Sequence, residues 1–371
     1  MRQIEYENLH LLNRPFFEDY RASFDDILER GWFILGKNVE NFERQFAEFL
    51  GVKHVIGVAS GLDALEIPLK CWDFEPGSEI IVPSNTYIAT VNAIINCGHI
   101  PIFVEPNLET YNIDCQRIEE KITPKTRAIM LVHLYGRACE MDAIHTLCQK
   151  YQLKLVEDCA QSHGATFEGQ MTGTFGVGAF SFYPTKNLGA LGDAGAIATN
   201  DETLYRKIKA WRNYGSNIKY QNEYIGDNSR LDEMQAGFLS IKLNHLNAIN
   251  TRKNQIAQFY LDHLSPKFIL PCVDVRIYNA YHIFPIRHSN RDALKAYLLQ
   301  NGIKTEVHYP IAPCDQKSIR DWASRANVKL NDADFALARQ IHATILSLPI
   351  STIHSDEDVA YIVEVLNKFA H

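Results

Sequence analysis

Long hydrophobic runs are missing from this 371-residue chain: no stretch approaches the roughly 18 uninterrupted apolar residues of a membrane-spanning helix. An excess of positive charge is missing too. Lys and Arg number 37 against 44 Asp and Glu, for a formal net charge of −7, and the basic residues are dispersed without aromatic partners, which leaves nucleic acid no electrostatic footing. The eight cysteines include no C-x-x-C pair, and the fourteen histidines form neither HExxH nor a tight Cys/His cluster. Reduced thiols and no metal are therefore expected; the spacing of His133 and Cys139 is read as coincidence. The opening "MRQIEYENLHLLNRPFF" places Glu5, Glu7, Asn8 and Asn13 where a signal peptide needs its apolar core, so a soluble, cytoplasmic protein is expected. Neither G-x-x-x-x-G-K-[ST] nor a first-strand G-x-G-x-x-G occurs. P-loop chemistry is thereby excluded, and nicotinamide-dependent oxidation becomes a weak rival.

Hydrophobic residues make up 46% of the chain, and its length exceeds one ordinary domain. Between about residues 50 and 200, short β-rich runs alternate with amphipathic stretches. The runs are "HVIGVAS", "SEIIVPS", "IPIFVE", "RAIMLVHLYG", "LKLVEDCA" and "GAFSFY", and helices are expected over 62–71, 86–97, 114–122 and 141–151. That rhythm predicts parallel strands covered by helices, with ligands at the carboxyl edge of the sheet. Helical periodicity over 230–264 then predicts one long rod linking two domains. Helices at "RDALKAYLLQNG" and "DEDVAYIVEVLNKF", with apolar runs "YHIFPIR" and "ILSLPI", complete a smaller α+β domain. The expected division is a large domain over 1–245, its first residues packing on the small one, and a small domain over 246–371.

Two features carry chemistry. In "SFYPTKNLGALGDAGA" a strand is broken by Pro184 and followed by Lys186 on a loop at the sheet edge. Desolvated there, the amine's pKa falls and it attacks carbonyls; pyridoxal phosphate is the common cofactor held in that way. An exposed loop lysine is the alternative. In "LKLVEDCAQSHGA" an apolar strand runs into Glu157 and Asp158, and an acid closing a buried strand needs a partner. The cofactor's protonated pyridine nitrogen is one: at ~4 Å and an effective dielectric of about 20 the pair is worth roughly 4 kcal/mol. A helix N-cap and a metal ligand are the competing readings of Asp158, the second lacking companions, and Glu157 should point to the opposite face. A weaker third signal is "VASGLDAL", where Ser60 and Gly61 open a helix whose free amides suit a phosphate. Gly189, Gly192 and Gly195 let the backbone pass close to a ligand.

With Tyr87 in "PSNTYIAT", "NSRLDEMQAGFL" and "VHYPIAP", these motifs run in an order and spacing that resembles the DegT/StrS family of pyridoxal-phosphate-dependent sugar-nucleotide aminotransferases over nearly the whole chain. The resemblance implies an α/β, aspartate-aminotransferase-like fold (fold type I), with a mixed, mostly parallel sheet in the large domain, and a homodimer with shared active sites. Carried over by residue, it makes Lys186 the Schiff-base lysine and general acid/base, Asp158 the pyridinium partner and Gln161 a neighbour of the ring hydroxyl. Tyr87 would stack on the ring, and Ser60, Gly61, Leu62 and Ser181 would hold the phosphate. Asn228 would reach in from the second subunit, or simply start a helix. His163 is either a neighbour of the site or a packed residue. The form "SFYPTKNLGALGD" resembles the branch that aminates 3-keto sugars, dTDP-3-keto-6-deoxyhexoses in particular, with L-glutamate as amino donor. A 4-keto substrate and a non-catalytic sugar-nucleotide regulator are the alternatives. Tyr183, Lys219, His308 and Tyr309 match positions near the sugar or its diphosphate, or are structural. Ala194 departs from the glycine many relatives carry there.

Overall fold

The computed structural model describes residues 2–370. Six of its strands lie on the six runs expected from sequence: β1 (His54–Val58), β2 (Glu79–Pro83), β3 (Ile100–Val104), β4 (Thr126–Val132), β5 (Lys154–Asp158) and β6 (Val177–Ser181). A seventh, β7 (Gly195–Thr199), was hidden in the glycine-rich run that reads as a ligand loop. They form one sheet in the order β1-β7-β6-β5-β4-β2-β3. Every pairing from β3 to β6 is parallel, and β7 runs antiparallel to both neighbours. Because β7 is reversed, its first residue Gly195 lies beside the last residues of β1 and β6, in register with Val58 and Ser181.

Nearly every residue of these strands is buried, so both faces are covered, as the continuous apolar runs require. Helices Gly61–Cys71, Ile88–Asn96 and Glu202–Trp211 pack on one face through Leu65, Ile94 and Ile208. Lys37–Leu50 and Glu233–Leu243 pack on the other through Phe42, Phe46 and Leu239. A further core is built by Tyr260, Phe284, Leu298 and Ile362, with Ile4 from the N-terminal segment. It surrounds the antiparallel pair β8 (Phe284–Arg287) and β9 (Ile345–Leu348). Ala312, Cys314, Ile319 and Phe335 nevertheless join the large-sheet core, although they follow residue 246 in the chain.

Three expectations need correction. The rod over 230–264 is two helices, Glu233–Leu243 and Leu246–His263, broken at Asn244 and His245. Asn244 caps back onto Ser240 O and His245 N closes a tight turn onto Lys242 O; both residue types are weak helix formers. The bend lets Leu243 and Leu246 stay in one core while Ile256 and Tyr260 enter the other. The segment 114–122 forms only two single 3-10 turns. Within it Ile118 alone is fully buried, too little apolar surface to hold a helix. The helix expected from residue 86 starts at Ile88, since Thr86 binds Thr90 Oγ1 and Tyr87 is extended.

Glu233, 1% exposed, accepts hydrogen bonds from the amides of Gly36, Asn38 and Val39 at 2.7, 3.1 and 2.9 Å. It thus caps Lys37–Leu50 from a distant helix. Glu233→Ala orphans three amides and should cost about 3 kcal/mol, read as a fall in the thermal unfolding midpoint. An unchanged midpoint would remove the cap from the account.

Candidate active site

A cavity of about 580 Å³ opens at the carboxyl edge of β4, β5 and β6. The start of the reversed strand sits between two of its lining residues, Ser60 and Ser181. Ser60, which caps helix Gly61–Cys71 by accepting from Asp63 N, and Ser181, which ends β6, flank Gly195. A Cβ on Gly195 would stand 2.3 Å from Ser60 O, and one on Gly61 2.4 Å from Ser181 Cβ. Neither position tolerates a side chain. Glycine there brings the amides of Gly61 and Leu62 and the Ser181 hydroxyl to one cup at a helix N-terminus, the donor set that suits a phosphate.

Lys186 lies on the loop after β6, and the loop is pinned along its length. Lys186 N donates to Tyr183 O and Ala190 N to Phe182 O, both at 2.8 Å. Asn187 Nδ2 donates to Asn250 Oδ1 and Ala280 O, and Leu191 N to Gln235 Oε1. Gly189 passes so close to Pro184 that a Cβ would sit 2.3 Å from its carbonyl. The result is not an exposed loop lysine. The side chain lines the cavity, and burial lowers its pKa to about 8 against the pull of Asp158 and Glu7.

Asp158, 6% exposed, closes β5. Oδ2 accepts from Thr90 Oγ1 at 2.9 Å and Oδ1 from Ala160 N at 3.1 Å. Burial raises its pKa even so, against these hydrogen bonds and the charge of Lys186. A held, desolvated acid of this kind is a seat for a cation. Amine, acid and amide cup thus fit an aromatic aldehyde carrying a phosphate and a basic ring nitrogen.

Glu157 turns to the other side, where Gly173, Phe175 and Gly176 donate their amides to it and His133 Nε2 lies at 3.0 Å. Since Cys139 N donates to His133 Nδ1, Nε2 carries the proton. His133, Glu157 and Cys159 hold their ligand atoms within 4.8 Å of one another, but the histidine and the carboxylate are spent in this closed network.

Most of the remaining expected residues converge on the same space. Tyr87, Gln161, Tyr183, His308 and Tyr309 line the cavity. Gln161 accepts from Tyr135 N and donates to Tyr309 OH at 2.9 Å, and the Tyr87 and Tyr309 rings stand 5.2 Å apart. Burial lowers His308 to about 4. Asn228 and Lys219 do not reach it: Asn228 is exposed and bridges Asn213, and Lys219 sits over Tyr220 on a hairpin at 216–222. His163 is fully buried between Phe180 and Phe182, off the cavity lining, and burial lowers it to about 3. Sequence reading missed Thr90, Asn187, His282 and Glu7. Thr90, one turn into its helix, is the one with a local signal.

The sequence profile of the DegT/DnrJ/EryC1/StrS aminotransferase family matches residues 17–367. The dTDP-3-amino-3,6-dideoxy-alpha-D-galactopyranose transaminase of Aneurinibacillus thermoaerophilus is 46% identical over 370 residues, covering 99% of this chain and 100% of the relative. The dTDP-3-amino-3,4,6-trideoxy-alpha-D-glucose transaminase of Streptomyces venezuelae is 43% identical, covering 95% and 94%. Among solved structures, S. venezuelae DesV in complex with a ketimine intermediate superposes with a TM-score of 0.95 at 36% identity, over 99% of this chain and 98% of that one.

Because the neutral amine is the nucleophile, apoprotein should capture pyridoxal phosphate faster as pH rises and level off above about 8, where Lys186 is uncharged. A stopped-flow rate still climbing through the ordinary lysine range, about 10.4, would contradict the lowered pKa.

Proposed function

The chain belongs to the DegT/DnrJ/EryC1/StrS aminotransferase family of pyridoxal-phosphate-dependent enzymes, and from that premise we propose that it transfers an amino group from L-glutamate to carbon 3 of a dTDP-linked 3-keto-6-deoxyhexose. The observation that carries the reading is the single cavity holding Lys186 and Asp158 at the sheet edge beside the Ser60–Gly61–Ser181 cup. The narrower substrate is supported by the relatives that make dTDP-3-amino sugars. It is supported also by charge: the cavity lining includes Asp158 and Asp193 and, among the described residues, no arginine, which suits a hexose without carboxylate or phosphate on its ring.

Pyridoxal phosphate, when bound, supplies an electron sink for the pair left as the α-carbon of an amino donor loses its proton. Ser60, Gly61, Leu62 and Ser181 would hold its phosphate, and Tyr87 and Gln161, which line the same cavity, would hold its ring. Asp158 keeps the ring nitrogen protonated, and Thr90 and Ala160 N keep that carboxylate aimed. Lys186 Nζ is the proton carrier: it takes the α-proton of glutamate in the first half-reaction and returns a proton to carbon 3 of the sugar in the second. An amine near pKa 8 exchanges protons in both directions around neutrality. Tyr183, His308 and Tyr309 then face the sugar.

The enzyme acts as a homodimer in this reading. Phe24, Leu28, Trp32, Phe33 and Ile34 are exposed within eleven residues of one another, a cluster of the kind that marks interaction surfaces. Asn228 and Lys219, off the cavity of their own chain, are then free to serve the neighbouring one.

Incubation with glutamate and a panel of dTDP-3-keto and dTDP-4-keto sugars should yield only the 3-amino product by mass analysis; amination at carbon 4 alone would overturn the assignment. Lys186→Ala should lose at least about a thousandfold in turnover while retaining cofactor, and Asp158→Asn roughly a hundredfold. Hybrid dimers of Lys186→Ala and Asn228→Ala subunits should recover activity that neither variant has alone, since one of their two sites is then intact. No recovery would argue that Asn228 serves its own subunit.

A further inference from the structure

A second cavity, of about 440 Å³, adjoins the first and shares Thr185, His282 and His308 with it. The mechanism above does not use it. Its inner end holds Lys253, on helix Leu246–His263, and Glu7, on the N-terminal segment that packs over the small domain. Lys253 is 6% exposed. Its ammonium reaches only two carbonyls, Tyr281 O at 3.5 Å and His282 O at 3.4 Å, both long contacts, and among the described residues no carboxylate lies within 4.0 Å of it. A buried cation with three donors and two weak acceptors is incompletely satisfied.

The charges around it do not balance. Glu7 is attracted by three ammoniums, those of Lys186, Lys242 and Lys253. Among the described residues Glu7 is the one carboxylate that acts on Lys253, and it is shared among the three ammoniums. The rim has the opposite sign. Glu5 and Glu306 lie there with Lys304, and Lys304 is already bound by both Glu5 oxygens at 2.9 and 2.8 Å. Such a rim repels a diphosphate, while the inner end attracts a single carboxylate.

We infer that this side cavity is the subsite for the distal carboxylate of the amino donor, with Lys253 Nζ as its counter-ion. The inference rests on the reading that a dicarboxylic amino acid is the donor. With its α-carbon at Lys186, that donor carries a second carboxylate two methylenes away. The main cavity meets it with Asp158 and Asp193 and no arginine, whereas the side cavity, which shares Thr185, His282 and His308 with the main one, offers it the unpaired ammonium. Donor and sugar, which must bind in turn, then use different walls. Lys253 selects the first without meeting the second, and Glu7 competes with the donor for the same cation.

The test is calorimetric titration of the holoenzyme with glutarate, which cannot transaminate, against butyrate, which lacks the second carboxylate. Glutarate should bind the wild type at least about tenfold more tightly than butyrate, as one added ion pair warrants. Lys253→Met should abolish that preference and Lys253→Arg keep it. Glu7→Gln, which removes the competing anion, should tighten glutarate by about threefold; it also carries the test if Lys253→Met does not fold. In the donor half-reaction, followed by the cofactor's absorbance, Lys253→Met should raise KM for glutamate about tenfold and leave KM for the keto sugar unchanged. Retention of the glutarate preference in Lys253→Met would overturn the assignment. So would weaker glutarate binding in both variants, the mark of mere structural damage, or a loss of dTDP affinity in Lys253→Met, the mark of a nucleotide site. Because the glutarate readout involves no sugar, failure of the 3-keto assignment would leave it standing.

Discussion

Desolvation of a carboxylate and an amine facing one cavity is the constraint on which the rest of the structure depends. Asp158 is raised by burial despite two hydrogen-bond donors, and Lys186 is lowered despite two nearby carboxylates. Neither group is comfortable alone, because removing a charge from water costs more than distant neighbours return. A ligand with a cationic ring nitrogen and an electrophilic carbonyl relieves both at once. The same desolvation that strains the protein without its cofactor is what makes the amine a nucleophile and the acid a firm counter-ion.

Holding such a pair in place demands a rigid surround, and it is supplied largely by backbone. The reversed strand β7 brings Gly195 between the ends of β1 and β6, and the absence of side chains at Gly61 and Gly195 lets three chain segments close to within a single layer of atoms. Glu157, one residue before Asp158, ties its own strand to the 173–176 turn through three amides and to the end of β4 through His133. The C-terminal half is tied in at Glu105, which accepts from Leu337 N, while His342 Nδ1 lies 2.7 Å from Tyr309 O and Gln161 donates to the Tyr309 hydroxyl. Chemistry in this enzyme is positioned from both cores.

Much of the fold was legible because its signals are local. A strand buried on both faces reads as an unbroken apolar run, and six of seven were found that way. The seventh was missed because "GAIAT" follows glycines whose close approach to a ligand and whose place at a strand's start look alike in one dimension. The 114–122 segment carries a capping acid and helix-forming residues, yet it lacks the second buried face that would hold a helix together. The long rod failed for the opposite reason. Its periodicity is continuous through Asn244, and the need to serve two cores bends it at two residues that are weak helix formers.

At the site, the division follows the range of each interaction. Lys186, Asp158, the Ser60–Gly61 turn and the aromatic cluster declare themselves through residue type next to a strand end, so the sequence alone determined which residue types meet at the sheet edge. It could not reveal that Thr90 aims Asp158 from another helix, that Asn187 is locked by Asn250, or that Lys253 and Glu7, 246 residues apart in the chain, flank one small cavity. Those relations are decided by tertiary structure because charge and hydrogen bonding act through space, and the sequence records only separation along the chain.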